Sequence, residues 1–328
     1  MTVQITIVGL GQIGASVGLA LGNRRTDIRR VGHDKDPETA KRAQKMGVVD
    51  DVKYNLPAAV RDANIVLLSL PVDEIRTTLE VIAPDLLEGA VVMDTAPMQS
   101  SVAQWAQEIL PSGRYYVGLV PAINPLYLHR IEIGVDAAQE DLFEDGVVVL
   151  ATLPGVPEEA VKVATDLIGT LGATPLFADM AETDGLMAST HIVPQLMAAS
   201  LLNAVVDQPG WKEARKLAGR PFAALTSALA YQDEIEALGE AAVLNSENVA
   251  RVLDVVIGSL QGLRDDIADG NREDVFERLE LALEGRRRWL GERLRGDWST
   301  ESMPIESIQI PTFWENLIGS RKRRESKK

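Results

Sequence analysis

Residues 3–36 constrain this chain more than any other stretch. A short apolar run holding Ile5, Ile7 and Val8 ends in Gly9-Leu10-Gly11-Gln12-Ile13-Gly14, and a helical pattern begins at once. A second short run ends at Asp34, 20 residues after Gly14. Strand, glycine turn, helix, strand and acid in this order form the fingerprint of a dinucleotide-binding βαβ unit. Gly9 permits the tight turn, Gly11 lets the backbone approach a pyrophosphate, and Gly14 lets the helix pack close to the strand. The helix N-terminus offers free N–H groups and a positive dipole end to the phosphates. A plain glycine-rich turn is the simpler account of three glycines, but it leaves the flanking elements and the spaced acid unexplained. Leu10, Gln12 and Ile13 complete the predicted phosphate-binding loop. The Asp34 carboxylate is placed to accept hydrogen bonds from ribose hydroxyls and to repel a 2′-phosphate, which favours NAD over NADP. Lys35, Arg29 and Arg30 are the nearby charges that weigh the other way. His33 reads as incidental to the adenine side.

The rest of the first half repeats the alternation. Buried strands are expected over 64–71, 90–94, 115–120, 146–151 and 174–177, and helices over 37–46, 72–83, 100–110 and 157–171. Pro71 stops its strand, since proline cannot continue a central ladder. This alternation predicts an α/β fold, a Rossmann-type doubly wound parallel sheet covered on both faces. Ligands of such sheets sit beyond the carboxyl ends of the strands. Ser69, Leu70 and Pro71 are therefore expected at the cofactor, with 94–101 and 118–123 around the same crevice.

From about Ala181 the pattern becomes almost entirely helical. Apolar pairs run through 183–206, where Pro194 is expected to kink the helix at a cost of about 3 kcal/mol. Further helices are expected at about 221–236, 245–269 and 272–291. Apolar residues on several sides of the 183–206 helix predict an all-helical dimerisation domain and a homodimer. The expected division is 1–179 for the dinucleotide-binding domain, 180–297 for the substrate and dimerisation domain, and 298–328 for a tail. That tail holds the apolar cluster Ile310–Ile318 and the basic end 321–328, which reads as a docked segment with a solubilising terminus; contact with an anionic membrane is the sharper alternative.

A net charge of −15 argues against nucleic acid as a partner. The absence of cysteine excludes disulfides and thiolate metal sites, and three scattered histidines make a histidine metal site improbable. Met1 leads straight into the first strand, and no apolar run approaches the ~20 residues that span a bilayer. A cytoplasmic protein acting on a small molecule is the expectation.

Taken together, the motifs resemble the prephenate/arogenate dehydrogenase family from about residue 3 to 295. The similarity lies in Val91-Val92-Met93-Asp94, in Gly134–Ala138 through Asp141-Leu142-Phe143-Glu144, in Asp184, in the segment around Pro194, in the 218–226 stretch and in Arg286-Arg287-Arg288-Trp289. The resemblance implies a Rossmann domain with a helical dimerisation domain, and oxidative decarboxylation of a cyclohexadienyl acid in tyrosine biosynthesis, with hydride passing to the nicotinamide.

The chain departs from that family at several polar positions. Val120 stands where the family carries its catalytic histidine, and Pro97 where it carries a supporting hydroxyl. Ala223 lies in the segment that normally supplies a substrate-binding arginine, and Thr183 and Gln195 occupy the places of paired histidines. Two residues are candidates for the lost base, whose help is typically worth about 10²–10⁴-fold. His129 lies on the loop 124–134 with Arg130 and Glu132, and His191 lies three residues before Pro194. Each also has a plainer reading, as a surface loop residue and as a core histidine. Alternative functions are a dehydrogenase diverged toward a different, less anionic acid, and a non-catalytic NAD-binding regulatory dimer.

Overall fold

The apolar runs form strands because their side chains alternate between two buried faces. In a computed structural model, which describes residues 2–24, 27–231 and 235–296, eight strands make one sheet. They are β1 (Val3–Val8), β2 (Ile28–His33), β3 (Asp51–Val52), β4 (Ile65–Leu68), β5 (Val91–Asp94), β6 (Tyr115–Pro121), β7 (Val147–Ala151) and β8 (Thr174–Phe177), ordered β3-β2-β1-β4-β5-β6-β7-β8. Ile5, Ile7, Ile65, Leu67, Val91 and Met93 face one core layer, where α1 (Gln12–Arg24) and α6 (Glu158–Thr170) pack. Val8, Val66, Leu68 and Val92 face the other, beneath α4 (Val72–Ile82) and α5 (Gln99–Ile109). Helix starts are written locally. Asp36 accepts from the Glu38 and Thr39 amides to cap α2 (Pro37–Lys45), with Pro37 in the first turn.

Two strands, β7 and β8, run against expectation. β7 pairs antiparallel with β6, Gly118 opposite Ala151, while every other pairing in the sheet is parallel. The connector 122–146 holds only two short 3₁₀ turns, Pro125–Tyr127 and Val135–Ala137, and no crossover helix. A chain without a crossover helix can return beside its own strand in the opposite sense. β3 and α3 (Leu56–Val60) escaped the sequence pattern because both are short. They matter nonetheless: the buried Thr6 hydroxyl donates to the Ala59 carbonyl at 2.7 Å, and the Gln4 side chain donates to the same oxygen at 3.2 Å.

After Phe177 the described chain is helical. α7 (Met180–Met187) passes through a π-turn, Ala188–Ile192, into α8 (Val193–Val205). The expected proline kink is thus a π-turn, which accommodates the N–H that Pro194 lacks without ending the helix. The stretch expected as one helix over 221–236 is instead α10 (Arg220–Thr226), a 3₁₀ turn at Ser227–Tyr231, and α11 beginning at Ile235 (Ile235–Leu244); α9 (Trp211–Leu217) precedes them. α12 (Ser246–Ala268) and α13 (Arg272–Arg295) follow.

The continuous helix Met180–Val205 is long and apolar enough to cross a membrane by length and composition, contrary to the reading of the sequence by uninterrupted apolar runs. Its Met180, Ala188, Ile192 and Val193 nevertheless pack into the second core layer of the sheet. α12 buries only Val249, and α13 buries no residue. The apolar and basic segments of the tail beyond 298 lie outside the described residues.

Candidate active site

The site is built from strand ends. At the end of β1, Gly9 adopts φ +89°, and a Cβ there would lie 2.1 Å from the Ser69 carbonyl oxygen. At Gly14 a Cβ would lie 2.0 Å from the Gly9 carbonyl oxygen. Both positions therefore require glycine, one for its backbone conformation and both for close approach. Gly11 differs, since no protein atom lies within 4 Å of where its Cβ would stand. Open space above the start of α1 is what a pyrophosphate needs, so the residues present fit a dinucleotide.

Asp34 follows β2 and holds the loop. Its Oδ2 accepts from the Leu10 amide at 2.8 Å and its Oδ1 from the Asp36 amide at 2.9 Å. Each oxygen keeps a second lone pair for a ribose hydroxyl. His33 points elsewhere, its Nδ1 paired with the Lys53 carbonyl at 2.8 Å.

A cavity of about 270 Å³ opens between the sheet and the helices. Its floor is Gly11, Gln12 and Ile13 at α1; one side is Ser69, Leu70 and Pro71 after β4. Thr95, Ala96 and Pro97 after β5 form the next wall, with the Thr95 hydroxyl 3.4 Å from that of Ser69. The helical half supplies His191 and Ile192 from the π-turn and Ala237, Leu238 and Ala241 from α11. No Asp, Glu, Lys or Arg lines it among the described residues. A second cavity, about 620 Å³, shares Ile133 and Gly134 and runs along α2 past Asp36, Thr39 and Arg42.

The two candidate bases part company here. His191 is on the cavity wall, and burial pushes its imidazole below the ordinary 6.5, so it stands neutral. His129 is exposed and outside the cavity lining, as are Arg130 and Glu132. The reason lies in the loop. Tyr127 turns inward and donates to Asp141 at 2.5 Å, Arg130 stacks over its ring at 4.8 Å, and Ile133 and Gly134 are what reach the cavity.

The positions that depart from the family pattern have other occupations. Val120 is buried and lines no part of the cavity. The Gln195 side chain donates to the His191 carbonyl at 2.9 Å, and the Thr183 hydroxyl donates to the Asp179 carbonyl at 2.8 Å. Phe222 of α10 packs on Trp211, rings 5.9 Å apart, in an apolar groove away from the site. The α11 residues were missed by sequence reasoning. Their only signal is the i, i+4 pair of small residues Ala237 and Ala241, too common to single out.

Beneath the β5 wall lies a buried polar network. Asp94 is fully buried; its carboxylate accepts from the Ala96 amide at 2.8 Å and from the Tyr116 hydroxyl. Burial pushes the Asp94 carboxyl up from 3.8 to about 7, and raises the Tyr116 phenol too. Asp184 of α7, 4% exposed, accepts from the Gln99 amide at 2.6 Å and the Ser100 amide at 3.1 Å.

A glycine-loop βαβ unit, a mostly parallel sheet and a helical region beside one cavity at the strand ends define the class: a Rossmann-like dinucleotide-binding oxidoreductase fold with a C-terminal helical region. Residues 17–176 match the family model "Prephenate dehydrogenase, nucleotide-binding domain", so this part of the chain is similar to that domain. The chain is 31% identical over 202 residues to a prephenate dehydrogenase of Bacillus subtilis, a match covering 61% of this chain and 53% of that relative. It is 26% identical over 285 residues to a cyclohexadienyl dehydrogenase of Zymomonas mobilis, covering 86% of this chain and 94% of the relative. The match thus spans about half the Bacillus protein and nearly all of the Zymomonas one. The fold is that of a prephenate dehydrogenase from A. aeolicus, solved with hydroxyphenyl propionate and NAD+, at TM-score 0.77 and 21% identity over 88% of this chain and 98% of that one. A Synechocystis arogenate dehydrogenase gives TM-score 0.68 and 24% identity over 87% and 99%.

Proposed function

We propose that this chain is an NAD-dependent dehydrogenase that oxidatively decarboxylates a cyclohexadienyl acid, prephenate or arogenate, in tyrosine biosynthesis. The observation that carries the reading is one cavity shared by Gly11–Ile13, Ser69–Pro71, Thr95–Pro97 and His191. The named relatives, prephenate and cyclohexadienyl dehydrogenases, support the substrate class. The Rossmann-type half, 1–179, holds the dinucleotide, with residues 9–14 at the pyrophosphate, Asp34 at the ribose and Ser69–Pro71 beside the nicotinamide ribose. The helical half, 180–297, closes the substrate side.

Bound NAD supplies an acceptor for hydride at the nicotinamide. The residues of the chain do the rest. Neutral His191 takes the proton of the ring hydroxyl as hydride leaves the same carbon. The carboxylate on the ring departs as carbon dioxide, its bonding electrons completing the aromatic ring, and His191 returns the proton to the phenolate oxygen. His129 remains the reserve candidate for the base, and its exposure sets it behind His191. The enzyme works in the cytoplasm as a homodimer, the second copy covering the apolar residues that α12 and α13 leave exposed, among them Val255, Leu260, Phe276, Leu279 and Leu283.

A second reading is favoured by one observation, the absence of Lys and Arg from the cavity lining among the described residues. A dianion needs cationic partners in a desolvated pocket, so a less anionic hydroxy acid suits this wall. NADH formation with prephenate, arogenate and smaller hydroxy acids separates the two. Turnover of the cyclohexadienyl acids supports the first, and turnover of a smaller acid alone supports the second.

A further inference from the structure

Asp184 sits at a junction of three elements that the proposed reaction does not use directly. Its two carboxylate oxygens cap α5 from across the molecule, accepting the Gln99 and Ser100 amides at 2.6 and 3.1 Å. Its main-chain carbonyl accepts from the Asn245 side chain at 2.8 Å, at the entrance of α12. α5 has no cap of its own, since Met98 stands at its N-cap and makes no side-chain hydrogen bond. The cap is thus imported from the helical half, where a carboxylate also meets the positive end of the α5 dipole.

The short segment between β5 and α5 is consequently pinned at both ends. Asp94 holds one end through the Ala96 amide and the Tyr116 hydroxyl; Asp184 holds the other. What lies between is Thr95, Ala96 and Pro97, the sheet-side wall of the cavity. The facing wall, His191 and Ile192, continues from Asp184 itself along α7 and the π-turn. One side chain therefore ties both walls. We propose that Asp184 is a positioning residue, which sets the spacing between the Thr95–Pro97 wall and His191 without touching cofactor or substrate. Its catalytic consequence rests on the proposed dehydrogenase function, but its mechanical one does not.

The test uses the full chain with Asp184→Asn, which keeps the shape but turns an amide donor toward one backbone N–H, and Asp184→Ala. Hydrogen exchange at Gln99 and Ser100 should accelerate by more than about tenfold in Asp184→Ala, and less in Asp184→Asn. NADH affinity should stay within about twofold, because residues 9–14 share no partner with Asp184. The imidazole resonances of His191, one of three histidines in the chain, should shift in both variants. On a substrate that the wild type turns over, kcat should fall by about 10²-fold while KM for NAD holds. Should Asp184→Ala not fold, Asp184→Asn carries the same readouts. Unchanged exchange at Gln99 and Ser100, unmoved His191 resonances, or loss of NADH affinity in step with kcat would each overturn the proposal. Failure of the wild type to oxidise any tested acid counts against the proposed function alone, and the exchange, NADH and resonance measurements still decide on Asp184.

Discussion

At the scale of single residues, local sterics made the cofactor side legible and long-range packing hid the rest. Gly9 and Gly14 are forced by carbonyl oxygens about 2 Å from where a Cβ would sit, and backbone demands of this kind are written in consecutive residues. His191 and His129 were both candidates in the sequence. What separates them is the Tyr127–Asp141 bond that turns the loop, a contact no local pattern reports. His191→Asn should lower kcat by about 10²–10⁴-fold with NADH affinity retained. Because burial lowers the His191 pKa below 6.5, the acid limb of kcat/KM should lie below pH 6.5, and His191→Asn should abolish it. Asp94 gives a stability prediction of opposite sense. Its carboxyl titrates at about 7 when folded and near 3.8 otherwise, so the folded chain holds the extra proton between those values. Its contribution to stability is full below pH 3.8 and is lost as pH rises through about 7. Thermal melts from pH 4 to 8 should show Asp94→Asn gaining on the wild type as pH rises.

At the scale of elements, strand and helix positions followed from periodicity, but direction and shape did not. Nothing in Val147–Ala151 tells a parallel strand from an antiparallel one; the helix-free connector decides it. Pro194 announced an irregularity, and the packing of Ala188, Ile192 and Val193 against the sheet selected a π-turn over a break. α12 and α13 were legible as helices, yet their apolar faces stay exposed in one copy. Leu279 is 56% exposed and Phe276 65%. A charge placed on that face should separate the proposed homodimer. Leu279→Glu should elute with the mass of one chain in light scattering while the wild type gives two, and far-UV circular dichroism should be unchanged. A wild type that scatters as one chain at micromolar concentration contradicts the dimer.

At the scale of the whole molecule, the account is of a dinucleotide half fixed by its glycine loop and a helical half that brings one neutral histidine to the same cavity. The likeness to prephenate dehydrogenases rests on residues 17–176, and the fold on the likeness to solved dehydrogenase structures. Of the departures from the family pattern, Pro97 stands in the cavity wall, while Val120 and Ala223 lie outside its lining. Those departures were readable in the sequence, whereas the meeting of His191 and the α11 residues on one cavity wall needed the arrangement in space. Nicotinamide absorbance, followed while the full chain is mixed with NAD and either prephenate or arogenate, tests the central claim most directly. The account predicts NADH formation with at least one of them, matched by an equal amount of aromatic phenol. NADH binding without any reduction of NAD by either acid would contradict it.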